Sequence, residues 1–225
     1  MKTTFLAFLL LCLSWVAPQA IADEVLYQSA TLGPTGITEQ QLASQEVPAT
    51  NVNEFTFVGA RFFLPTQALT TEIRGHFAKG DAGGGGFFGA LVSLDSPNDF
   101  PDTYDLSSDD VLATTTLVFP NPSNEVAGIL EVDLLPGWYG IVFGSGDFGA
   151  IGSGAVVENG VSAADASYFG GGSPAGWANA NAALDGVTLI VRGIEVPECG
   201  SATLTLLGLL IKVGREPKRG EVMGI

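Results

Sequence analysis

The chain is short of basic residues, histidine and cysteine, and each shortage closes off a class of function. It has 9 lysines and arginines against 24 acidic residues in 225, a formal net charge of -15. So acidic a surface repels phosphate backbones, which argues against nucleic acid as a partner. A single histidine and 2 cysteines leave no ligand set able to close a zinc site. Cys12 falls in an N-terminal leader, so Cys199 stands alone and no intramolecular disulfide staples an exported body. No Gly-x-Ser-x-Gly elbow presents a nucleophile, because Gly144-Ser145-Gly146 and Gly152-Ser153-Gly154 read as glycine-rich turns. The middle of the chain also lacks any capped segment of helical period.

What is present begins at the two ends. Lys2, the apolar stretch Phe5 to Val16 and the small residues Ala20-Ile21-Ala22 have the form of a signal peptide over residues 1–22, with cleavage expected before Asp23. At the other end, Val196-Pro197-Glu198-Cys199 is followed by an apolar run from Ala202 to Val213 and then by Arg215, Lys218 and Arg219. The run is shorter than the roughly 20 residues of an ordinary spanning helix, and Lys212 near its end can snorkel to the interface. Basic residues behind it place the extreme C-terminus on the cytoplasmic side and the body across the membrane.

This tail resembles that of the PEP-CTERM proteins, the substrates of exosortases in Gram-negative bacteria that make extracellular polysaccharide. Val196, Pro197 and Glu198 match the family's Val-Pro-Glu-Pro core, with Cys199 where the second proline is expected. Arg215, Lys218 and Arg219 stand for its arginine-rich end, interrupted by Glu216 and Pro217. In the body, Leu32-Gly33-Pro34-Thr35-Gly36, Val58-Gly59-Ala60-Arg61-Phe62 and Phe143-Gly144-Ser145-Gly146 are similar to uncharacterised β-rich bodies found ahead of such tails. The resemblance implies an exosortase-type membrane protease as partner, and membrane attachment through a short apolar helix before processing. It implies a final place in the cell envelope, at the outer surface or in the extracellular matrix, near polysaccharide. It covers residues 196–225 and names a route, not an activity.

Between the ends, residues 23–195 form one domain of ordinary size. From Asp23 to Glu198 there are 4 basic and 22 acidic residues. Short segments rich in Val, Ile, Thr and aromatics follow one another: Phe55 to Leu64, Leu69 to Ala78, Gly86 to Leu94, Val111 to Phe119, Val126 to Leu134, Trp138 to Gly144 and Val187 to Ile194. Gly, Pro, Asn and Asp separate them; Gly83 to Gly86 and Gly170 to Gly172 read as flexible loops, and Leu135-Pro136-Gly137-Trp138 as a tight turn. The expected fold is all-β, an antiparallel sandwich of jelly-roll type with at least six strands. Alternation puts Ile73, Gly75 and Phe77 inward, with Arg74 and His76 on the solvent face.

Candidate chemistry is sparse. The segment from Asp95 to Asp110 gathers oxygen ligands on one loop, and Asp95, Asp99, Asp102 and Asp105 are its candidate calcium ligands, without the glycine and glutamate of an EF-hand. Glu131 and Asp133 share a strand face and are the candidate pair for glycoside hydrolysis. Tyr104, Trp138, Tyr139, Tyr168 and Trp177 could offer flat faces to sugar rings. The leading expectation is a non-catalytic structural or interaction protein. A lectin-like carbohydrate-binding module, with or without calcium, comes second and a glycoside hydrolase third.

Overall fold

The computed structural model describes residues 23–172 and 176–196; residues 1–22 and 197–225, which carry the expected signal peptide and nearly all of the sorting tail, lie outside the described residues. Eleven strands follow in order: β1 (Glu24–Gln28), β2 (Ala49–Val52), β3 (Thr56–Leu64), β4 (Ala68–Leu94), β5 (Val111–Val118), β6 (Asn124–Leu134), β7 (Gly137–Gly144), β8 (Gly152–Val157), β9 (Ser167–Gly172), β10 (Gly176–Asn179) and β11 (Leu189–Glu195). A single short helix, α1 (Glu39–Ala43), lies between β1 and β2. The strands form one large antiparallel sheet in the order β1-β11-β4-β7-β3-β9-β10, with β5, β6 and β8 also on β4 and β2 on β8.

β4 explains how one sheet closes round a core. Its 27 residues would extend about 90 Å if straight, at ~3.3 Å per residue. The register shows that it doubles back instead. Ala68 pairs with Leu134 and Leu94 with Trp138, and only Leu135 to Gly137 lie between those two partners, so the two ends of β4 meet at one end of the molecule. The first limb, Ala68 to Phe77, runs between β11 and β6; the last, Gly86 to Leu94, runs between β5 and β7. The bend between them lies against β8, with a register shift between Lys79 and Gly84.

Aromatic packing holds the bend shut. Phe77 on the first limb and Phe87 on the last are both fully buried, with ring centroids 4.5 Å apart. Phe119 stacks on Phe87 at 4.2 Å and Phe143 lies 4.9 Å from Phe77. Each buried ring contributes about 1.5–3 kcal/mol by area, and each pair about 0.5–1.5 beyond that. The same core takes in Phe62 of β3, Ile73 of β4, Leu130 and Leu134 of β6, and Leu189 and Val191 of β11, so residues of both ladders share one interior.

The last limb of β4 is covered on both faces. Phe87 and Leu91 point into the main core; Phe88, Ala90 and Val92 point the other way, into a second cluster with Phe57, Val142, Phe169 and Leu106. That is why Gly86 to Leu94 reads as a continuous apolar run rather than an alternation. The second cluster is roofed by the loop 95–110, through Phe100, Tyr104 and Leu106, and by Trp177 of β10. Leu106 is 2 % exposed at a φ of 51°, a left-handed conformation that costs a leucine about 1–2 kcal/mol and is offset by its burial.

Several expectations need correction. Gly83 to Gly86 belong to β4 and Gly170 to Gly172 to β9, so these glycines are strand rather than loop. Leu69 to Ala78 and Gly86 to Leu94 are limbs of a single strand. β1, β2, β8, β9 and β10 were not read from the sequence, nor was α1, which is closed by a capping box between Thr38 and Gln41. The remaining expected strands are present, and Leu135-Pro136 is the turn between β6 and β7.

Glycine at the bend is a steric necessity. Gly85 has a φ of +85°, and a Cβ there would lie 2.5 Å from the carbonyl oxygen of Ile151. Gly149 has a φ of +76° with nothing within 4 Å of its Cβ position. Chemical denaturation should therefore find Gly149→Ala destabilising by about 1 kcal/mol, from backbone strain alone, and Gly85→Ala by about 3 kcal/mol. Equal effects at both positions would mean that the bend is not closely packed.

Candidate functional site

The antiparallel register gives the molecule two distinct ends. At the proximal end lie the start of β1, the end of β11, both ends of β4, the β6–β7 turn and the root of the acidic loop. At the distal end lie the β4 bend, the β2–β3 turn and the β7–β8 loop.

An open cleft of about 1050 Å³ occupies the distal end, lined by Asn53 to Phe55, Lys79, Gly83 to Gly85, Phe119, Ser145, Gly146 and Ile151 to Ser153. Its walls are fixed by local hydrogen bonds. The Phe55 N–H donates to Asn53 Oδ1 at 2.8 Å, an Asx turn that holds the Phe55 ring out at 58 % exposure. Ser145 is buried; its Oγ accepts from the Gly152 N–H at 2.9 Å and donates to the Ala150 carbonyl at 3.3 Å, which sets the β7–β8 loop. Ile151 stands on that loop at 84 % exposure. Lys79 pairs with Glu39 of α1 at 2.9 Å, so the cation in the wall is already neutralised.

The sequence did not reveal this site. Its parts are separated by up to about a hundred positions along the chain and meet only because β4 folds back. The nearest signal was Phe55 between Asn53-Glu54 and Thr56, which reads as the first residue of a strand when alternation alone is followed.

The proposed calcium ligands are placed differently. Asp99 accepts through Oδ2 from the Asp95 N–H at 2.8 Å and through Oδ1 from the Phe100 N–H at 2.9 Å. Asp105 accepts from the Ser107 N–H and hydroxyl, and these bonds, the hydroxyl's first, lower its carboxyl below the ordinary range. Asp102 donates its own N–H to Asp110 Oδ2 at 2.9 Å. The carboxylates of Asp99, Asp105 and Asp110 thus accept from groups of the loop itself, and among the described residues no three acidic, histidine or cysteine groups converge on a metal-sized point.

Beneath that loop lies Arg61, 2 % exposed and a member of none of the ion pairs found among the described residues. Its Nε donates to the Asp99 carbonyl at 2.5 Å and its Nη1 to Asn179 Oδ1 at 3.0 Å. The guanidinium lies over the rings of Phe100 at 4.3 Å and Phe169 at 4.9 Å. Cation–π contact and carbonyl acceptors replace the missing carboxylate, and burial lowers the guanidinium's proton affinity against a raising effect of Asp99. Arg61 therefore ties the acidic loop to the sheet.

His76 is not on the solvent face. It is fully buried beside the β4 bend, because the segment before α1 covers that side of the strand. The hydrogen bonds fix its tautomer. Asn159 Nδ2 donates to the Pro34 carbonyl at 2.7 Å, leaving Asn159 Oδ1 to accept from His76 Nδ1 at 3.2 Å. His76 Nε2 then accepts from the Ser123 hydroxyl at 3.1 Å, and Ser123 Oγ accepts from the Ile37 N–H at 3.0 Å. Arg74 keeps its expected outward position, paired with Glu72 and, at 2.7 Å, with Glu125.

Of the other candidates, Glu131 and Asp133 are exposed on β6 and do not line the cleft. Tyr139 and Tyr168 are buried, the latter donating to the Val187 carbonyl at 2.7 Å, so neither offers a face to a sugar. Tyr104 stacks on Phe57 at 4.8 Å and contacts Trp177 inside the second cluster. Trp138 is half-buried against Phe63. Val196, first residue of the sorting motif, donates its N–H to the Gln67 carbonyl at 2.8 Å at the proximal end; Pro197, Glu198, Cys199, Arg215, Lys218 and Arg219 lie outside the described residues. Among the described residues no helix is long and apolar enough to cross a membrane. No protein-family model matches the chain, and no curated protein matches it.

Burial holds the His76 imidazole below its ordinary value of 6.5, against smaller raising effects of Asn159 and Glu125. A histidine with a depressed folded pKa binds its proton first in the unfolded chain. Its contribution to stability is therefore complete above about pH 6.5 and is lost as pH falls towards the lower folded value. Denaturant titrations from pH 7.5 to 5 should show the wild-type protein losing stability over this window relative to His76→Gln. Parallel pH profiles for the two proteins would contradict this account of the network.

Proposed function

We propose that this chain is an exported, non-catalytic structural or interaction protein of the cell envelope or extracellular matrix of a Gram-negative bacterium, sorted by its PEP-CTERM-like tail and processed by an exosortase-type membrane protease. The observation that carries the reading is the layout of the body's ends. Asp23, the first residue after the expected leader, has its carboxylate paired with Arg192 at 3.0 Å and accepting from Thr71 at 2.7 Å. Val196, the first residue of the motif, donates its N–H to the Gln67 carbonyl, and β1 and β11 are antiparallel neighbours, so the points at which the expected leader and tail join the body lie side by side. Residues 197–201 span at most about 18 Å before the apolar run begins. A body held in this way stands on the membrane by its proximal end and turns its distal end outward.

Within this reading the sheet is a sandwich of jelly-roll type whose two leaves share β4. The common core drawn from both ladders supports that description. Hydrolysis is the weaker reading, because Glu131 and Asp133 stand exposed on a strand face and do not line the distal cleft.

The mass of the protein recovered from the cell surface tests the proposal. It should lack Met1 to Ala22 and most of the chain beyond Cys199, and deleting residues 200–225 should release the body to the periplasm or medium. A surface protein still ending at Ile225 would overturn processing by an exosortase and leave a plain membrane anchor.

A further inference from the structure

We propose that the distal cleft binds a neutral oligosaccharide. The inference deepens the surface-protein reading and rests on it only for where such a ligand is met. The chemistry stands on the cleft itself.

The first argument is the exposure of two apolar side chains on rigid mounts. Phe55 and Ile151, 58 % and 84 % exposed, stand on the two loops that flank the cleft. Each loop is fixed by its own hydrogen bonds, through Asn53 and Ser145, so presenting these side chains to a ligand requires little ordering on binding. A sugar ring has an apolar C–H face and a rim of hydroxyls. An exposed phenyl ring suits the face, while the side chains of Glu54 and Ser153 offer hydrogen-bonding groups to the rim.

The second argument is charge. Between Asp23 and Glu198 the chain has 4 basic residues against 22 acidic ones, and among the described residues lining the cleft the lysine ammonium is paired with Glu39. Nothing there is left to neutralise a uronate, sulfate or phosphate, and the surrounding field repels them. A cationic peptide would find Glu54 but no dense carboxylate wall. An uncharged polyol meets no such penalty.

Size and place complete the case. At about 1050 Å³ the open cleft stands at the upper end of the ~300–1,000 Å³ typical of ligand pockets, room for more than one sugar ring. It also lies at the end of the sheet opposite Asp23 and Val196, where, in the proposed arrangement, a polymer can reach it without meeting the membrane.

The test uses the full chain, purified in mild detergent, titrated calorimetrically with cellohexaose, maltohexaose, laminarihexaose and mannohexaose, and with hexagalacturonate as the acidic counterpart. At least one neutral hexasaccharide should bind at sub-millimolar concentration and hexagalacturonate should not. Phe55→Ala should weaken binding about tenfold and Phe55→Trp should preserve it, whereas Phe63→Ala, which removes an exposed ring at the proximal end, should leave it unchanged. No binding by any neutral hexasaccharide, preference for hexagalacturonate, or equal binding by Phe55→Ala would each overturn the assignment. Because the measurement is made on purified protein, it can fail while the surface location stands, and the location can fail while binding stands.

Discussion

The clasp between Phe77 and Phe87 governs this molecule. These two rings lie on either side of the bend in a single strand and bury against each other 4.5 Å apart. Their contact turns a ribbon too long for any domain of this size into two limbs. Five strands then take their places on β4: β11 and β6 along the first limb, β8 along the bend, β5 and β7 along the last. Glycine is required on the outside of this turn for the same reason that phenylalanine is required within it. The backbone must pass close to Ile151 and Ser153 while the side chains collapse on one another.

Doubling β4 back also creates the two ends. Asp23 and Val196 lie at one end, together with the root of the acidic loop and its buried Arg61 support, while the bend carries the cleft to the far side. The placement of charge follows this geometry. Arg74, Lys79 and Arg192 each sit in an ion pair, and Arg61 lies beneath the loop, so the outer surface is left to carboxylates. In the proposed arrangement an acidic surface favours dispersal of neighbouring copies, and a cleft at the other end whose lysine is already paired suits contact with something neutral.

Legibility in the sequence followed burial on one face or two. β3, the limbs of β4, β5, β6, β7 and β11 could be read because β-branched and aromatic residues mark them, and Glu131 and Asp133 alternate with Leu130 and Leu134 as the pattern requires. β8 and β9 are not legible because Gly152-Ser153-Gly154 and Gly170 to Gly172 carry no side-chain pattern; their strand character comes from pairing, β8 with β2 and β4, and β9 with β3 and β10. His76 misled because its strand face, outward by period, is covered by a segment forty residues earlier. The acidic loop was located correctly, yet its role as a roof depends on Phe100, Tyr104 and Leu106 meeting the far face of the sheet, which no local pattern encodes. The cleft escaped for the same reason, being assembled from three distant turns.

The central claim is the proposed orientation before processing: a body held by its proximal end with the distal cleft facing away from the membrane. Single cysteines at Ile151 and Leu135, introduced into a chain carrying Cys199→Ser, would be labelled with a membrane-impermeant maleimide on spheroplasts of cells lacking the exosortase-type protease, in which the tail is retained. Both side chains are well exposed, at 84 % and 65 %, so both should react in purified protein. On spheroplasts, the account predicts strong labelling at position 151 and protection at position 135. Equal labelling at the two positions, or protection at 151 instead, would contradict it.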